Sequence, residues 1–324
     1  MTKGQKTDII YLEIYVYGEK MDGIIIVYKP RGYTSHDAVA RMKRFCNTRR
    51  IGHAGTLDPM AEGVLPVLVG KACAAQEYLQ DHDKSYLAGM RFGTVTDTGD
   101  MTGNIISQKE VVLDTETVNE AAKAFIGNIK QVPPMYSAIK IGGKRLYDLA
   151  REGVTVERKA RDINIYSIEI AEKLNDTDFL VRVFCSKGTY IRTLCEDIGE
   201  KLGCGGTLFS LCRETCGDFS LSDAVSIEEL EKIYEEKGSE GIGNLLFSPE
   251  KVFLNCKKIK LSAFYSRLCK NGCEIYLKKA GIKESFQKDE KIRLYDSDGN
   301  FFAIGKVADF PNGEAVKATV RFCD

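Results

Sequence analysis

The strongest candidate for catalysis in the sequence is a loop that carries a single carboxylate. It reads Gly-His-Ala-Gly-Thr-Leu-Asp-Pro, from Gly52 to Pro59. Its two glycines and its proline enforce a non-regular backbone, and Asp58 stands immediately before the proline. An aspartate before a proline is also common in turns, where it caps backbone N–H groups. The residue types alone therefore leave both a catalytic and a structural role open for Asp58.

A basic stretch directly precedes this loop. Five basic residues and no acidic residue lie between positions 41 and 50, namely Arg41, Lys43, Arg44, Arg49 and Arg50. The whole chain has 46 Lys and Arg against 46 Asp and Glu, so its formal net charge is zero. This balance excludes a uniformly basic surface but not a local basic patch. The stretch predicts a polyanionic ligand at the edge that carries Asp58.

Signatures of metal and nucleotide sites are incomplete. No glycine stands five residues before Gly70-Lys71 and no Ser or Thr follows, which excludes a phosphate-binding P-loop. The cysteine pairs Cys212/Cys216 and Cys269/Cys273 have no partner pair at zinc-site spacing. The eleven cysteines instead indicate reduced, buried thiols of a cytoplasmic protein, and no metal site is predicted.

The secondary-structure elements that must position Asp58 are both strands and helices, and they do not follow a regular βαβ order. Apolar, β-rich runs predict strands over residues 23–28, 64–69, 85–92, 136–141 and 154–169. Helical periodicity predicts a helix capped by Ser35 and further helices over residues 71–79, 117–126, 144–152 and 189–202. This pattern favours an α+β fold with a mixed, largely antiparallel sheet.

A composition shift divides the chain into two unequal parts. At 324 residues, the length is typical of about two domains. Between Ser226 and Glu240, six glutamates face only two lysines, and glycines at 238, 241 and 243 follow, which predicts a solvated helix and a linker. Short β runs from about residue 249 predict a small C-terminal β domain.

Several blocks of the sequence together resemble the TruB family, the bacterial tRNA pseudouridine-55 synthases. The Gly52–Pro59 loop, with Glu62-Gly63-Val64-Leu65-Pro66 after it, is similar to the signature loop of that family. Other similar blocks occur in family order between about residues 22 and 219; they are Lys29-Pro30 with Gly32-Tyr33-Thr34-Ser35, Lys84-Ser85-Tyr86, Thr96 to Asp100, Gln131 to Gly153 and Ser186 to Leu194.

The resemblance implies a pseudouridine synthase catalytic domain over residues 21–248. Residues 249–324 are weakly similar to the PUA-like RNA-binding domain that follows it in the family. Residues 1–20 precede the point where family members usually begin, and two interpretations stay open for them, a genuine extension or a start codon assigned too far upstream. The longest apolar run there, residues 9–17, contains Glu13 and is far too short to span a bilayer. We therefore expect a cytoplasmic protein without a membrane segment.

The resemblance also implies an activity, the isomerisation of uridine to pseudouridine at position 55 in the T-loop of tRNA, without a cofactor. Asp58 is the implied catalytic carboxylate. Arg192 is its implied cationic partner, which would lower the pKa of that carboxyl group. Tyr86 is implied to stack on the target base, and His53 to help extrude the nucleotide. The remaining implied substrate contacts are Tyr190, Leu211, Lys29 and Pro30.

Alternatives remain at the level of single residues and of the whole protein. Judged alone, Tyr86 fits a core position in an alternating strand, and Arg192 fits the surface of a helix. Two rival functions are a non-catalytic tRNA-binding or folding module and a guide-dependent synthase that acts on ribosomal RNA. The expected partner is the T-arm stem-loop of tRNA, and the sequence implies no protein partner.

Overall fold

The structure, a computed structural model, describes residues 21–137 and 139–323. The predicted extension over residues 1–20 lies outside the described residues. In chain order the strands are β1 Gly23–Lys29, β2 Ile51–His53, β3 Glu62–Val69, β4 Lys84–Phe92, β5 Thr94–Thr96, β6 Ile105–Gln108, β7 Gly127–Gln131, β8 Lys140–Ile141, β9 Lys144–Arg145, β10 Arg161–Lys173, β11 Asp178–Cys185, β12 Gly206–Cys216, β13 Phe219–Ser220, β14 Val225–Ser226, β15 Lys257–Lys260, β16 Ile275–Tyr276, β17 Lys291–Tyr295, β18 Phe301–Phe310 and β19 Gly313–Arg321.

The helices are mostly short. In chain order the α-helices are α1 Ser35–Phe45, α2 Gln76–Gln80, α3 Thr115–Lys123, α4 Leu146–Arg151, α5 Ile191–Lys201, α6 Ile227–Gly243 and α7 Ala263–Lys270. Three 3₁₀ helices cover Gly70–Ala75, Leu221–Asp223 and Pro249–Phe253. Within the described residues, no helix has the length and apolar content needed to cross a membrane.

The main sheet has ten strands and follows the order β14-β1-β3-β12-β4-β11-β10-β7, with β2 paired to β3 and β13 to β12. The β1–β14 and β3–β12 pairs are parallel, whereas the other described pairs in this sheet are antiparallel. The predicted mixed, largely antiparallel sheet is therefore confirmed. Strand β12 lies between β3 and β4 although it is more than 100 residues from both in sequence, so residues far apart in the chain lie side by side.

Apolar side chains bury both faces of this sheet. On one face, Val67, Met90 and Val181 contribute to a core that also includes Leu194 of α5 and Leu230 of α6. Alternate residues of a strand point to the same face, so one strand supplies both faces.

The opposite face connects the main sheet to a second sheet. Ile24 and Leu68 cluster with Phe253 and with Ile304, which belongs to the five-stranded sheet ordered β15-β17-β18-β19-β16. The predicted small C-terminal β domain is confirmed as this five-stranded sheet.

Two local predictions are wrong. The strand expected over residues 136–141 is reduced to Lys140–Ile141, because residues 132–137, which include the two prolines, have no regular structure. The linker expected after the acidic helix is part of α6, which continues to Gly243 across a kink at Gly238, where φ is +62°.

Candidate active site

The loop that carries Asp58 is fixed at both ends and in the middle. It connects β2, which ends at His53, to β3, which begins at Glu62. The Ala54 N–H donates to the Pro66 carbonyl at 3.0 Å, and the Ala61 N–H donates to the Asp58 carbonyl at 3.0 Å. These bonds give an irregular segment a defined backbone.

Helix α1 contributes a third anchor, through Ser35. We expected Ser35 to cap this helix, but Thr34 is the cap, and its side chain accepts from the Asp37 N–H. The buried Ser35 hydroxyl instead accepts from the Leu57 N–H at 2.9 Å and donates to the Leu57 carbonyl at 3.2 Å. The residue next to Asp58 is thus bonded to the first turn of α1.

Asp58 forms a close ion pair with Arg192. Arg192 Nη2 lies 2.8 Å from Asp58 Oδ2, and the Arg192 side chain is 5% exposed. The same guanidinium donates to the Tyr136 carbonyl at 2.7 Å and to the Thr98 carbonyl at 3.1 Å. Asp100, also buried, lies 3.8 Å away. Carbonyls and carboxylates therefore surround Arg192, which fixes its orientation toward Asp58.

The pKa of Asp58 is raised above its ordinary value. Burial is the main cause and Asp100 adds to it, whereas Arg192 and Lys29 oppose the rise. Arg192 lowers the pKa of Asp58 as the sequence implied, but the opposing effect of burial is larger, so the net shift is upward. Arg192 limits the rise and holds the carboxyl group in place.

A cavity of about 540 Å³ opens beside Asp58. Tyr86 and Tyr190 line it, and a smaller recess of about 90 Å³ next to it is lined by Asp58, Arg192 and Leu211. The larger space is well above the size of one water molecule and suits a flat heterocycle with its sugar. Five of the predicted site residues therefore meet at one concave surface.

The backbone of Tyr190 is held in position by the side chain of Gln131, which belongs to β7 at the edge of the main sheet. The Tyr190 N–H donates to Gln131 Oε1 at 2.8 Å, and Gln131 Nε2 donates to the Tyr190 carbonyl at 3.1 Å. Gln131 is the last residue of β7 and is buried. This pair of bonds fixes the residue that directly precedes α5 and Arg192.

Arg213 is a site residue that sequence reasoning did not single out. It stands directly opposite Tyr86 in the antiparallel β4–β12 pair, and its guanidinium hydrogen-bonds to the Tyr86 side chain. Arg213 is fully buried, and it donates to the Val64 carbonyl at 2.7 Å and to the Gly55 carbonyl at 3.0 Å. The available signal was the alternation of β12, which places Arg213 on the same face as Leu211.

Gly63 explains how Arg213 reaches this position. Gly63 pairs with Arg213 across the parallel β3–β12 contact. Its φ is +101°, and a Cβ at this position would lie 2.4 Å from the Arg213 carbonyl oxygen. Only glycine allows both the backbone conformation and the close approach.

Two buried cationic side chains, Lys84 and Arg213, line the cavity, and a third, Lys29, lies close enough to interact with Asp58 and Arg213. Lys29, Lys84 and Arg213 are each at most 6% exposed. No carboxylate in residues 21–137 or 139–323 lies within ion-pair distance of any of them. Burial lowers the pKa of Lys29 to about 8, with Asp58 opposing the shift. The cavity therefore carries positive charge that a bound anionic group would compensate.

Lys29 and Pro30 shape the turn after β1 rather than line the cavity. Lys29 Nζ donates to the Pro30 carbonyl at 3.0 Å and to the Tyr33 carbonyl at 2.6 Å. The buried ammonium thus closes this turn, and Lys29 acts on Asp58 through its charge.

His53 is not among the residues that line the cavity. Its ring packs edge-on against His36 at a centroid distance of 5.5 Å, and among the described residues its Nδ1 has no hydrogen-bond partner. Burial lowers the pKa of His53 to about 4, so the ring is neutral at pH 7.

The basic stretch between residues 41 and 50 is also outside the cavity lining. Arg41 forms an ion pair at 2.9 Å with Glu231 of the acidic helix α6. The cationic side chains that line the cavity are instead those of Lys84, Arg161, Lys187 and Arg213.

Comparison with known proteins identifies the family of this chain. The model of the TruB family pseudouridylate synthase N-terminal domain matches residues 43–191, and that of the tRNA pseudouridylate synthase B C-terminal domain matches residues 192–252. A tRNA pseudouridine synthase B from Alkaliphilus oremlandii is 45% identical over 256 residues, which is 79% of this chain and 83% of that protein. The chain belongs to the TruB family. It is a pseudouridine synthase, an isomerase.

Other TruB-family comparisons agree with this assignment. The tRNA pseudouridine synthase B of Clostridium tetani is 40% identical over 288 residues, 88% of this chain and 96% of that protein. Among solved structures, a Cbf5-Nop10-Gar1 complex contains a chain with a TM-score of 0.72 and 26% identity, and the match covers 94% of this chain and 85% of that one. The rival interpretation as a non-catalytic module is therefore not supported.

Proposed function

We propose that this TruB-family enzyme isomerises uridine to pseudouridine at position 55 in the T-loop of tRNA, with Asp58 as its catalytic carboxylate. The observation that carries the proposal is the Asp58–Arg192 pair at a cavity with buried, unpaired cations in its lining. The relatives named tRNA pseudouridine synthase B support tRNA as the substrate.

The geometry suits a reaction at the sugar. When the N-glycosidic bond breaks, its electron pair leaves with the uracil and C1′ of the ribose becomes electron-poor. A carboxylate beside C1′ stabilises or traps this carbon, as in retaining glycosidases. The uracil then bonds to C1′ through C5, which loses its proton, while N1 gains one, so the product is an isomer of the substrate.

Base recognition falls to the aromatic residues of the cavity. Extrusion of a base from a folded loop costs a few kcal/mol. Stacking on an aromatic ring such as Tyr86 returns about 1–3 kcal/mol. We propose that Tyr86 stacks on the target base, with Tyr190 and Leu211 as further base contacts. Because His53 does not line the cavity, its proposed role is to support the loop from which the base has left.

The decisive test is tritium release from a T-arm transcript with 5-tritiated uridine at position 55. We expect Asp58→Asn to lower turnover about 10²- to 10⁴-fold while it still binds the RNA. The control is Asp176→Asn, since Asp176 is exposed and pairs only with Lys173 in the described contacts. A folded Asp58→Asn protein with near-parental turnover would contradict the proposal. Because the transcript contains no guide RNA, turnover also excludes the guide-dependent alternative.

A further inference from the structure

A salt bridge joins two walls of the cavity at its rim. Lys187 Nζ lies 2.7 Å from Asp81 Oδ1, and the two residues are 106 positions apart in sequence. Lys187 belongs to the turn between β11 and α5, and Asp81 directly follows α2. Both line the cavity that contains Asp58, yet their side chains are 58% and 61% exposed.

The chemistry of an RNA substrate places phosphates at this rim. A nucleotide whose sugar reaches Asp58 remains linked to the chain on its 5′ and 3′ sides, and each link is a negatively charged phosphodiester. These groups are too polar and too bulky to follow the base to the floor, so they lie near the mouth. Lys187 and Arg161 are the cavity-lining cations that stay exposed there, whereas Lys84 and Arg213 are buried.

We propose that Lys187 binds a backbone phosphodiester next to the target nucleotide, and that Asp81 competes with this phosphate for the same ammonium group. The inference rests on the proposed function, because it takes RNA as the ligand. In the free protein Asp81 neutralises Lys187; in the complex the phosphate takes its place and the Asp81 carboxylate returns to water. Exposed ion pairs are weak because water and salt screen them, so this exchange has a low cost.

The proposal has an unusual consequence for affinity. Removal of the Asp81 carboxylate frees the Lys187 ammonium group to bind the RNA backbone. We therefore expect Asp81→Asn to bind RNA about 2- to 5-fold more tightly at low salt, the range set by an exposed ion pair. If the salt bridge only braced the cavity walls, the same substitution would leave RNA binding unchanged or weaken it.

A matched control separates this effect from a general change in net charge. Asp176 is 63% exposed and pairs with Lys173 at 3.2 Å, away from the cavity lining. Asp176→Asn therefore changes the charge by the same amount at a similarly exposed ion pair. We expect it to alter RNA affinity clearly less than Asp81→Asn does.

The experiment is equilibrium binding of full-length protein to a T-arm RNA that already carries pseudouridine at position 55, so that no turnover occurs. Affinities are measured across a salt series for the parent, the two aspartate variants, Lys187→Gln and the Asp81→Asn/Lys187→Gln double variant. Lys187→Gln should weaken binding and reduce the slope of log affinity against log salt by about 0.7–0.9, the value for one phosphate contact. In the Lys187→Gln background, Asp81→Asn should raise the affinity for RNA no more than Asp176→Asn raises that of the parent.

Two results would overturn the proposal. One is an Asp81→Asn protein that binds no more tightly than Asp176→Asn, and the other is a gain that persists without Lys187. Thermal unfolding of each variant identifies any loss of folded protein. The proposed function has a separate test, because it fails if the parent enzyme leaves position 55 unmodified. The comparison of Asp81→Asn with Asp176→Asn does not depend on that result, since it measures only how tightly each variant binds the RNA.

Discussion

At Asp58, opposing electrostatic effects act on a single carboxyl group. Burial disfavours the charged form and raises the pKa, whereas the Arg192 guanidinium at 2.8 Å favours the charged form. A carboxyl group that stabilises an electron-poor sugar must be ionised. Activity should therefore fall on the acid side, as the pH drops through a pKa above the ordinary aspartate value of about 3.9.

Removal of Arg192 should move this acid limb to higher pH. In Arg192→Gln the lost cation no longer opposes the effect of burial, so the pKa of Asp58 rises further. The measurement is kcat/KM for tritium release as a function of pH. The control is Arg182→Gln, since Arg182 forms an exposed pair with Glu214 and lies outside the cavity lining. An acid limb at the same pH in Arg192→Gln and the parent would refute this account.

At the scale of elements, the first turn of α1 supports the catalytic loop through Ser35. Loss of its hydroxyl leaves the buried Leu57 N–H without a partner, at a cost of about 1–3 kcal/mol. Ser35→Ala should therefore lower both the free energy of unfolding and kcat, because Leu57 directly precedes Asp58. Urea unfolding and turnover at saturating RNA measure the two effects.

Thr34→Ala is the matched comparison for Ser35→Ala. It removes the cap of the same helix at a cost of about 1 kcal/mol but breaks no bond to the catalytic loop. We expect a loss of stability with an unchanged kcat. If Thr34→Ala lowered kcat as much as Ser35→Ala does, general softening of α1 would explain both results.

Helix α5 contributes a pH dependence of stability. Burial and then the neighbouring Asp197 raise the pKa of Glu196 to about 7, and burial raises the pKa of Asp197 to about 6. The folded state therefore binds more protons than the unfolded state between about pH 4.5 and 7. Stability from these groups is full below the unfolded pKa and is lost as the pH rises through the folded pKa.

Glu196→Gln should make this dependence shallower. The variant keeps the shape of the side chain but has no proton to release, so its free energy of unfolding should fall less between pH 4.5 and 7 than that of the parent. Asp197 maintains part of the slope. Denaturant unfolding at several pH values measures the effect, and parallel curves for parent and variant would show that Glu196 titrates normally.

At the scale of the whole molecule, one apolar cluster joins the two sheets. Phe253 is buried between Ile24 and Leu68 of the main sheet and Ile304 of the C-terminal sheet. Its ring also contacts Tyr78 and Phe301, at centroid distances of 5.0 and 6.4 Å. Each sheet therefore contributes to the burial of the other.

This cluster predicts cooperative unfolding. Phe253→Ala removes a buried aromatic ring, at a cost of about 3–5 kcal/mol. Because the cluster belongs to both sheets, we expect calorimetry to show one transition, lowered as a whole in the variant. Two separate transitions in the parent, with only one of them shifted by the substitution, would mean that the C-terminal sheet folds independently.

The sequence by itself determined the fold class, most of the helices, several of the strands, and the family. Hydrophobic periodicity and turn residues are local properties, so strands such as β1, β3 and β4 were predictable within a few residues. The similarity of consecutive blocks pointed to Asp58, Tyr86 and Arg192 without knowledge of their positions in space.

Only the tertiary structure decided which charged side chains line the cavity. The basic stretch near residue 41 is partly neutralised by α6, whereas Lys84, Lys187 and Arg213 reach one cavity from separate elements. Local patterns do not encode this convergence, because the sheet order places β12 between β3 and β4 although a long segment of sequence separates β12 from both. The net rise in the pKa of Asp58 has the same origin, since burial depends on the packing of the whole chain.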